Sequence, residues 1–456
     1  MWTREIPPID PVTAAARLER LPGLAFLDSA MHHDTLGRIS IVAADPFARF
    51  RCRDGVSTLD GERVEGTPLE ALRACLAPWR ALADAGFPGG AIGYLAYDLG
   101  RSLERVAVPP RRAGLTDDIA FNLYDTVLVI DHEARTCRLV SCGFPEHPAD
   151  AREMRARERL DRFADLLAQS AEPSRPWSGP LAWHSNFTRE AYEAAVEKVR
   201  DYIRAGDIYQ ANIAQRFTAS LPPGFDAFGL YRRLRETNPA TFGAYLAFES
   251  LRVASSSPER FLKLDGRQVE TRPIKGTVRR VADSDADRAL AEALQSNPKE
   301  RAENIMIVDL LRNDLSRICE PHSVAVPVLC GLETYASVHH LVSVVTGTLR
   351  DGADAVDLVA ATFPGGSITG APKLRAMDII TEIEGDAREL YCGAIGRIGF
   401  DGSLDTSIAI RTVFMDGETA VLQAGGGITL LSEPGPEYEE TLTKAARVFA
   451  AFEEPA

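Results

Sequence analysis

No stretch of this sequence approaches the roughly 18 to 20 uninterrupted apolar residues that a membrane-spanning helix needs, so no transmembrane segment is expected. An excess of positive charge is also missing. With 51 Lys and Arg against 65 Asp and Glu, the formal net charge is −14. That balance argues against a nucleic-acid groove or an anionic membrane surface as the main partner. A small anionic substrate is still allowed, because a local cationic pocket fits inside an acidic protein. The seven cysteines (Cys52, Cys75, Cys137, Cys142, Cys319, Cys330, Cys392) form no CxxC pair. Their scatter reads as reduced thiols rather than a disulfide framework or a zinc site. The opening Met1-Trp-Thr-Arg-Glu-Ile-Pro-Pro8 has no apolar run with a cleavage site, which points to the cytoplasm.

What is present is ordinary for a soluble globular chain, 45% hydrophobic and 25% charged. At 456 residues it has room for two or three domains or one large double-layered one. Residues 1–145 hold short β-rich runs such as Leu24–Leu27, Arg38–Val42 and Thr126–Ile130, punctuated by turn formers. Residues 146–184 read as a connector, with a charged helix over 149–170 and a linker at 170–180 that has three prolines in eleven residues. Residues 185–456 form the larger part. A helix is expected from an N-cap at Thr188 to a stop at Gly206, followed by strands at Ile208–Ala219, Ala244–Phe248, Arg260–Leu264, Gly393–Phe400, Ser407–Phe414 and Thr419–Ala424. Helices are expected at Pro298–Leu315, Pro372–Glu384 and Glu437–Phe452. Strand runs flank helix groups without βαβ alternation, so the fold class is α+β rather than a doubly wound sheet.

Candidate chemistry begins with carboxylates. Glu300 and Glu303 lie three apart on an expected helix and share a face, and Glu437 and Glu440 repeat the spacing. Brought together, two such pairs give a hard oxygen site suited to Mg²⁺. The same spacing is also common on solvated helix faces, so it does not decide. The loop Phe363-Pro-Gly-Gly-Ser-Ile-Thr-Gly-Ala-Pro-Lys373 precedes a helix start, where free N–H groups bind anions. Gly370 is followed by Ala371 and Pro372, which rules out a P-loop. Gly425-Gly-Gly427 follows a strand and lets backbone approach a ligand. Lys275 sits between Pro273 and Gly276 in what reads as a constrained turn, either an exposed surface lysine or a nucleophile. A free amine is neutral only about once in 2,500 molecules at pH 7, so a nucleophile there needs burial or a nearby cation.

Read in order, Gly206-Asp-Ile-Tyr-Gln-Ala-Asn-Ile213, Ser255-Ser-Ser-Pro-Glu-Arg260, Arg272-Pro-Ile-Lys-Gly-Thr277, Arg301 to Asp314, His340-Leu-Val-Ser343, Phe363 to Lys373, Tyr391 to Gly396, Ile410-Arg-Thr412, Gly425 to Ile428 and Glu437 to Thr441 resemble the chorismate-utilising enzymes. That family includes anthranilate synthase component I and the isochorismate and salicylate synthases. The resemblance runs from about residue 185 to 447 and is weaker over the first 145. It implies an anthranilate synthase component I-like fold, with a large two-layered antiparallel β-sheet core and flanking helices.

The resemblance also implies roles. Glu303 and Glu440 match Mg²⁺ ligands, with Glu300 and Glu437 behind them or linked through water. Arg411, Tyr391, Lys444 and the Gly425, Gly426 and Gly427 amides match groups that hold the enolpyruvyl carboxylate of chorismate. Ser367, Thr369, Gly370, Thr277 and His340 line the same pocket. Glu259 matches the acid that protonates the departing 4-hydroxyl, which leaves poorly without a proton. Two positions sort the members. Where isochorismate and salicylate synthases carry a water-activating lysine, this chain has Gln210. Where anthranilate synthase usually has alanine, it has Lys275, as in members that aminate at C4. The implied mechanism is attack of Lys275 at C2, loss of the 4-hydroxyl, then displacement of the lysine by ammonia at C4.

None of the seven cysteines lies in the Gly-x-Cys-x-Gly elbow of a glutamine amidotransferase, so ammonia is expected from a separate glutaminase subunit. In related synthases a Leu-Glu-Ser-like run and an Asn-Pro-rich run form a tryptophan pocket. Here they read Leu27-Asp28-Ser29 and Asn238-Pro239-Ala-Thr-Phe242, departing enough that a bound tryptophan and a purely structural pocket both stay open. The competing functions are anthranilate synthase component I, a non-catalytic chorismate-binding regulatory subunit, and a pyridoxal-phosphate enzyme built on Lys275.

Overall fold

The strands expected along the chain assemble, in a computed structural model, into two antiparallel sheets of twelve strands each. The structure describes residues 1–31, 36–80, 82, 86–170, 179–335 and 338–453. The first sheet runs from Trp2–Ile6 at one edge, through Leu24–Asp28, Phe242–Phe248, Leu251–Ser257, Thr412–Asp416 and Thr419–Ile428, to Gln210–Ser220 and His184–Ser185. The second runs from Ile274–Arg279 and Val338–Thr348, through Arg260–Asp265, Leu404–Ile408 and Ala394–Ile398, to Gly90–Leu95, Ile119–Tyr124 and Ala48–Arg53. The α+β class holds, with helices around a layered antiparallel core. Among the described residues no helix is long and apolar enough to cross a membrane.

One continuous apolar cluster contains Ala244, Leu246 and Phe414 of the first sheet together with Phe50, Ile92 and Ile395 of the second, so the sheets pack face to face around it. Each large side chain buried there contributes about 1.5–3 kcal/mol. A second cluster, with Phe26, Phe163, Tyr231 and Val448, covers the outer face of the first sheet with helices. The sequence boundary near residue 145 is not a seam. Leu24–Asp28 pairs with Phe242–Phe248, and Gly90–Leu95 with Ala394–Ile398, so both sheets are continuous across it.

Several expectations change. The helix over 149–170 forms as Ala149–Ala168, but it is more than a solvated connector. Ala156, Leu160, Phe163 and Leu167 make a buried stripe at helical spacing, hidden in sequence among charges. Most of the proline-rich linker, residues 171–178, lies outside the described residues. Thr188 caps its helix as expected, accepting from the Ala191 N–H at 3.2 Å, and Gly206 follows the end at φ +81°. Pro372 is the N-cap of Lys373–Glu384 rather than a residue of its first turn. Lys275 is not in a turn. It lies on the strand Ile274–Arg279, opposite Leu341, with a bulge at Gly276. The run Ser407–Phe414 is not one strand. Leu404–Ile408 belongs to the second sheet and Thr412–Asp416 to the first, so the chain changes sheets between them.

Candidate active site

Two such crossings lie side by side. Leu251–Ser257 ends in the first sheet, and Arg260–Asp265 begins in the second after Pro258 and Glu259. At the neighbouring crossing Arg411 takes φ +52° between its two strands. The crossings are stitched together: the Ile408 N–H donates to the Glu259 carbonyl at 3.0 Å, and the Ser256 N–H to the Arg411 carbonyl at 3.1 Å. A sheet-switching corner leaves side chains free of the pleat, so Glu259 and Arg411 come from one structural device.

Glu259 is 5% exposed. Burial pushes its carboxyl up to about 7, opposed by a hydrogen bond from the Ser367 hydroxyl, the charge of Lys275 and the Ile274 amide. Its neighbour Arg260 is pinned by Asp405 at 3.1 Å and Glu270 at 2.9 Å, and lies over the Phe242 ring. Lys275 donates to the Ser367 carbonyl at 3.1 Å. Its charge also reaches Glu303 and Glu440. Gly276 makes this possible: its φ of +77° needs glycine, and a Cβ there would lie 2.8 Å from Leu294 and 3.0 Å from Glu300 Oε2.

The four carboxylates do come from two helices. Pro298–Ser316, capped by Asn297, carries Glu300 and Glu303, and Pro434–Phe449 carries Glu437 and Glu440. Burial pushes Glu303 up to about 6, with Glu300 and Glu437 adding repulsion against Lys275 and Lys299. Glu437 is raised by burial and by Glu440. Burial also presses on Glu440, but Lys444, paired at 2.6 Å, holds it below the usual range. A Cβ on Gly426 would stand 3.2 Å from Glu437 Oε2 and 3.8 Å from Glu440 Oε1, so the glycine strand runs directly past these two carboxylates. Among the described residues no three His, Cys, Asp or Glu side chains form a ready-made metal cage. Mg²⁺ takes one or two carboxylates and keeps the rest of its shell for water and substrate oxygen. The all-oxygen donors and their mutual repulsion fit such an ion.

The anion-binding candidates gather nearby. The half-buried Arg411 guanidinium makes no hydrogen bond or ion pair with any described residue; burial and then Arg447 bring its pKa down to about 10. His340 shares a 2.8 Å hydrogen bond with the Thr277 hydroxyl. Burial, aided by Arg411 against the pull of Glu333, takes it down to about 4, so it is neutral at pH 7. Lys444 donates to the Gly425 carbonyl at 2.8 Å. Gly427 packs on the Gln210 amide, where a Cβ would lie 1.9 Å from Nε2. Tyr391 is buried, its ring flanking the Arg388 guanidinium. Gly370 pairs with Ala211 across the strands. Thr369 turns its hydroxyl onto the Gly365 and Gly366 carbonyls, so that group shapes the loop from within. Lys373 closes the far end of the loop on Asp314 at 2.6 Å and the Thr362 carbonyl at 2.7 Å.

The N-terminal candidates lie apart. Asp28, opposite Gly243, accepts from the Tyr231 hydroxyl at 2.9 Å and from Arg235 Nε at 2.6 Å. Ser29 donates to the Ile39 carbonyl. Pro239 is half-buried, and Phe242 faces Arg260 rather than Asp28. The carboxylate there is already neutralised from within the chain. Arg388 and Lys299 took no part in the motifs, yet one supports the loop and the other pairs with Glu437 at 3.6 Å. The only sequence signal for Arg388 was its position four residues after Glu384.

The chorismate binding enzyme family matches residues 26–450. The aminodeoxychorismate synthase component 1 of Salmonella typhimurium is 40% identical over 451 residues, covering 96% of this chain and 95% of the relative. That of Bacillus subtilis is 38% identical over 93% of this chain and 92% of its own. The anthranilate synthase component 1 of Thermus thermophilus is 39% identical, over 97% and 95%, so overall identity does not separate the two activities. Among solved structures, anthranilate synthase component I from Streptococcus pneumoniae superposes with a TM-score of 0.79 at 32% identity, covering 90% of this chain and 92% of that one. The menaquinone-specific isochorismate synthase of Escherichia coli shares the fold, with a TM-score of 0.77 at 18% identity over 99% and 94%.

Proposed function

The chain belongs to the chorismate binding enzymes, and from that premise we propose that it aminates chorismate at C4. The product is 4-amino-4-deoxychorismate, on the route to 4-aminobenzoate and folate, made in the cytoplasm. The observation that carries this reading is the Lys275 amine, held on the Ser367 carbonyl at 3.1 Å and within the charge fields of Glu259, Glu303 and Glu440. A surface lysine has no such company. The nearby cation that a nucleophilic amine requires would be the Mg²⁺ held by Glu303 and Glu440. The aminating relatives and the anthranilate synthases are otherwise equally similar.

In the proposed sequence the Lys275 amine attacks C2 of chorismate and the ring double bonds shift. The C4–O bond breaks as Glu259, an acid with its pKa near 7, gives its proton to the departing hydroxyl, which leaves as water. Ammonia then attacks C4, the double bonds shift back, and the C2–N bond to Lys275 breaks. Arg411 and the Gly425–Gly427 backbone hold the enolpyruvyl carboxylate, and Thr277, His340 and the loop at Ser367–Gly370 close the pocket. Glu303 and Glu440 would hold Mg²⁺, backed by Glu300 and Glu437. When bound, the ion neutralises these carboxylates and a carboxylate of the substrate.

All seven cysteines are free and buried. In the proposed reaction the ammonia is supplied by a separate glutamine amidotransferase chain. The test is product analysis after incubation with chorismate, Mg²⁺ and ammonium: 4-amino-4-deoxychorismate identified by mass spectrometry is the expected result. Fluorescent anthranilate as the main product, or no turnover by a folded protein, would overturn the reading.

A further inference from the structure

Arg388 is 1% exposed and lies three residues before the run Tyr391 to Gly396. A guanidinium buried so deeply needs a partner. Its Nε and Nη2 donate to the two oxygens of Glu384, at 2.9 and 2.7 Å. Glu384 in turn accepts from the Ala214 N–H at 2.9 Å. The Tyr97 and Tyr391 rings flank the cation, with centroids at 4.8 and 5.6 Å. Neutralisation requires nothing more, yet Nη1 also donates to the Ile368 carbonyl at 3.0 Å and Nη2 to the Asn212 carbonyl at 2.6 Å. The Ile368 carbonyl follows directly on that of Ser367, which accepts from Lys275. The Asn212 N–H donates to the Thr369 carbonyl at 2.8 Å. One guanidinium therefore ties the loop to the strand Gln210–Ser220.

We propose that Arg388 is a positioning residue of this site, holding the Ser367–Thr369 segment where the Ser367 carbonyl meets Lys275 and the Ser367 hydroxyl meets Glu259. The inference rests on the reading of Glu259 as the proton donor. Glu259 is faced by Lys275 and Ser367, and its charge also reaches the Cys392 thiol. The Ser367 hydrogen bond favours the carboxylate, so loosening the loop moves Glu259 towards higher pKa. The protonated form is the working one, so the basic limb of the kcat profile moves to higher pH.

Arg388→Lys keeps a cation but loses the planar fork. At constant free ammonia we expect kcat to fall about 100-fold, the cost of an ångström-scale misplacement. We expect the KM for chorismate to stay within about threefold and the basic limb to shift upward. Glu384→Gln weakens the anchor while leaving the fork, and should shift the limb in the same direction by less; it decides the matter if Arg388→Lys does not fold. Arg159→Lys is the control, a buried arginine paired with Asp45 and Asp125 between N-terminal strands and with no contact to the candidate residues among the described ones. It should lower the melting temperature and leave the limb in place. A folded Arg388→Lys, or failing that Glu384→Gln, with wild-type kcat and limb would overturn the proposal, as would an equal shift in Arg159→Lys. Rates are followed as chorismate consumed, whichever product forms. Product identity in the wild type then judges the proposed function separately.

Discussion

Two buried charge clusters share this fold, and they are built differently. Around Asp28 every charge is answered from within: Arg235 at 2.6 Å, the Tyr231 hydroxyl at 2.9 Å and Ser40 at 3.3 Å. Around Lys275 the charges are left in tension. Glu303 and Glu437 are raised by burial and by neighbouring carboxylates, Glu259 by burial, and the Arg411 guanidinium has no partner among the described residues. A closed cluster stabilises the chain that contains it. An open one gains its stabilisation when a charged ligand arrives, at a standing cost in folding energy.

The sharpest way to break this contrast is at Lys275. Lys275→Ala should lower 4-amination by roughly three orders of magnitude or more, the scale on which loss of a covalent nucleophile acts. Lys275→Arg should not rescue, because a guanidinium stays protonated. Mass spectrometry of the wild type with chorismate and Mg²⁺, without ammonia, should map an adduct to Lys275; wild-type amination by Lys275→Ala would end the covalent mechanism. Next in size is Glu259→Gln, expected to cost about 10²- to 10⁴-fold in kcat. In the wild type this acid titrates near 7. It is protonated below that value, so the rate at constant free ammonia should fall as pH rises through it. A profile with no break there would remove Glu259 from the role of acid.

Smaller is Glu440→Gln, which removes one of the four carboxylate charges. The Mg²⁺ concentration for half-maximal rate should rise about 10- to 100-fold, with the rate largely restored at saturating metal. Full activity at limiting Mg²⁺ would sink the metal assignment. The smallest effect on turnover belongs to the closed cluster. Asp28→Ala leaves Arg235 half-buried without its counter-ion, costing about 3 kcal/mol of stability and lowering the melting temperature, while kcat should stay within about twofold. A catalytic loss there comparable to that at Glu440 would mean the two clusters are not independent.

The sequence announced the residues that face one another along a helix and hid those that meet across the chain. Glu300 and Glu303 share a face because helical periodicity demands it, and the two glycine loops advertise close approach. Lys275 looked like a turn residue because Pro273 and Gly276 flank it. In fact the glycine makes a bulge in a strand whose partner, Leu341, lies far along the chain. Ser407–Phe414 reads as one strand because no Gly, Pro, Asn or Asp interrupts its apolar and β-branched residues at the sheet change near Arg411. Arg388 carried almost no signal, since its role is set by carbonyls 20 and 176 residues away. Periodicity reports which face is buried; it does not report which distant backbone oxygen waits there.

The continuity of both sheets across residue 145 has a temporal side. Leu24–Asp28 leaves the ribosome about two hundred residues before Phe242–Phe248, the strand it must pair with, and at about 5–20 residues per second that gap lasts roughly 10 to 40 seconds. Gly90–Leu95 waits longer still for Ala394–Ile398. Throughout that interval the nascent chain carries apolar strands with unpaired edges, the state most prone to join a neighbour's edge instead. Slowing translation late in the message should therefore lower the soluble yield, whereas changing the codons of the first 145 residues should matter little.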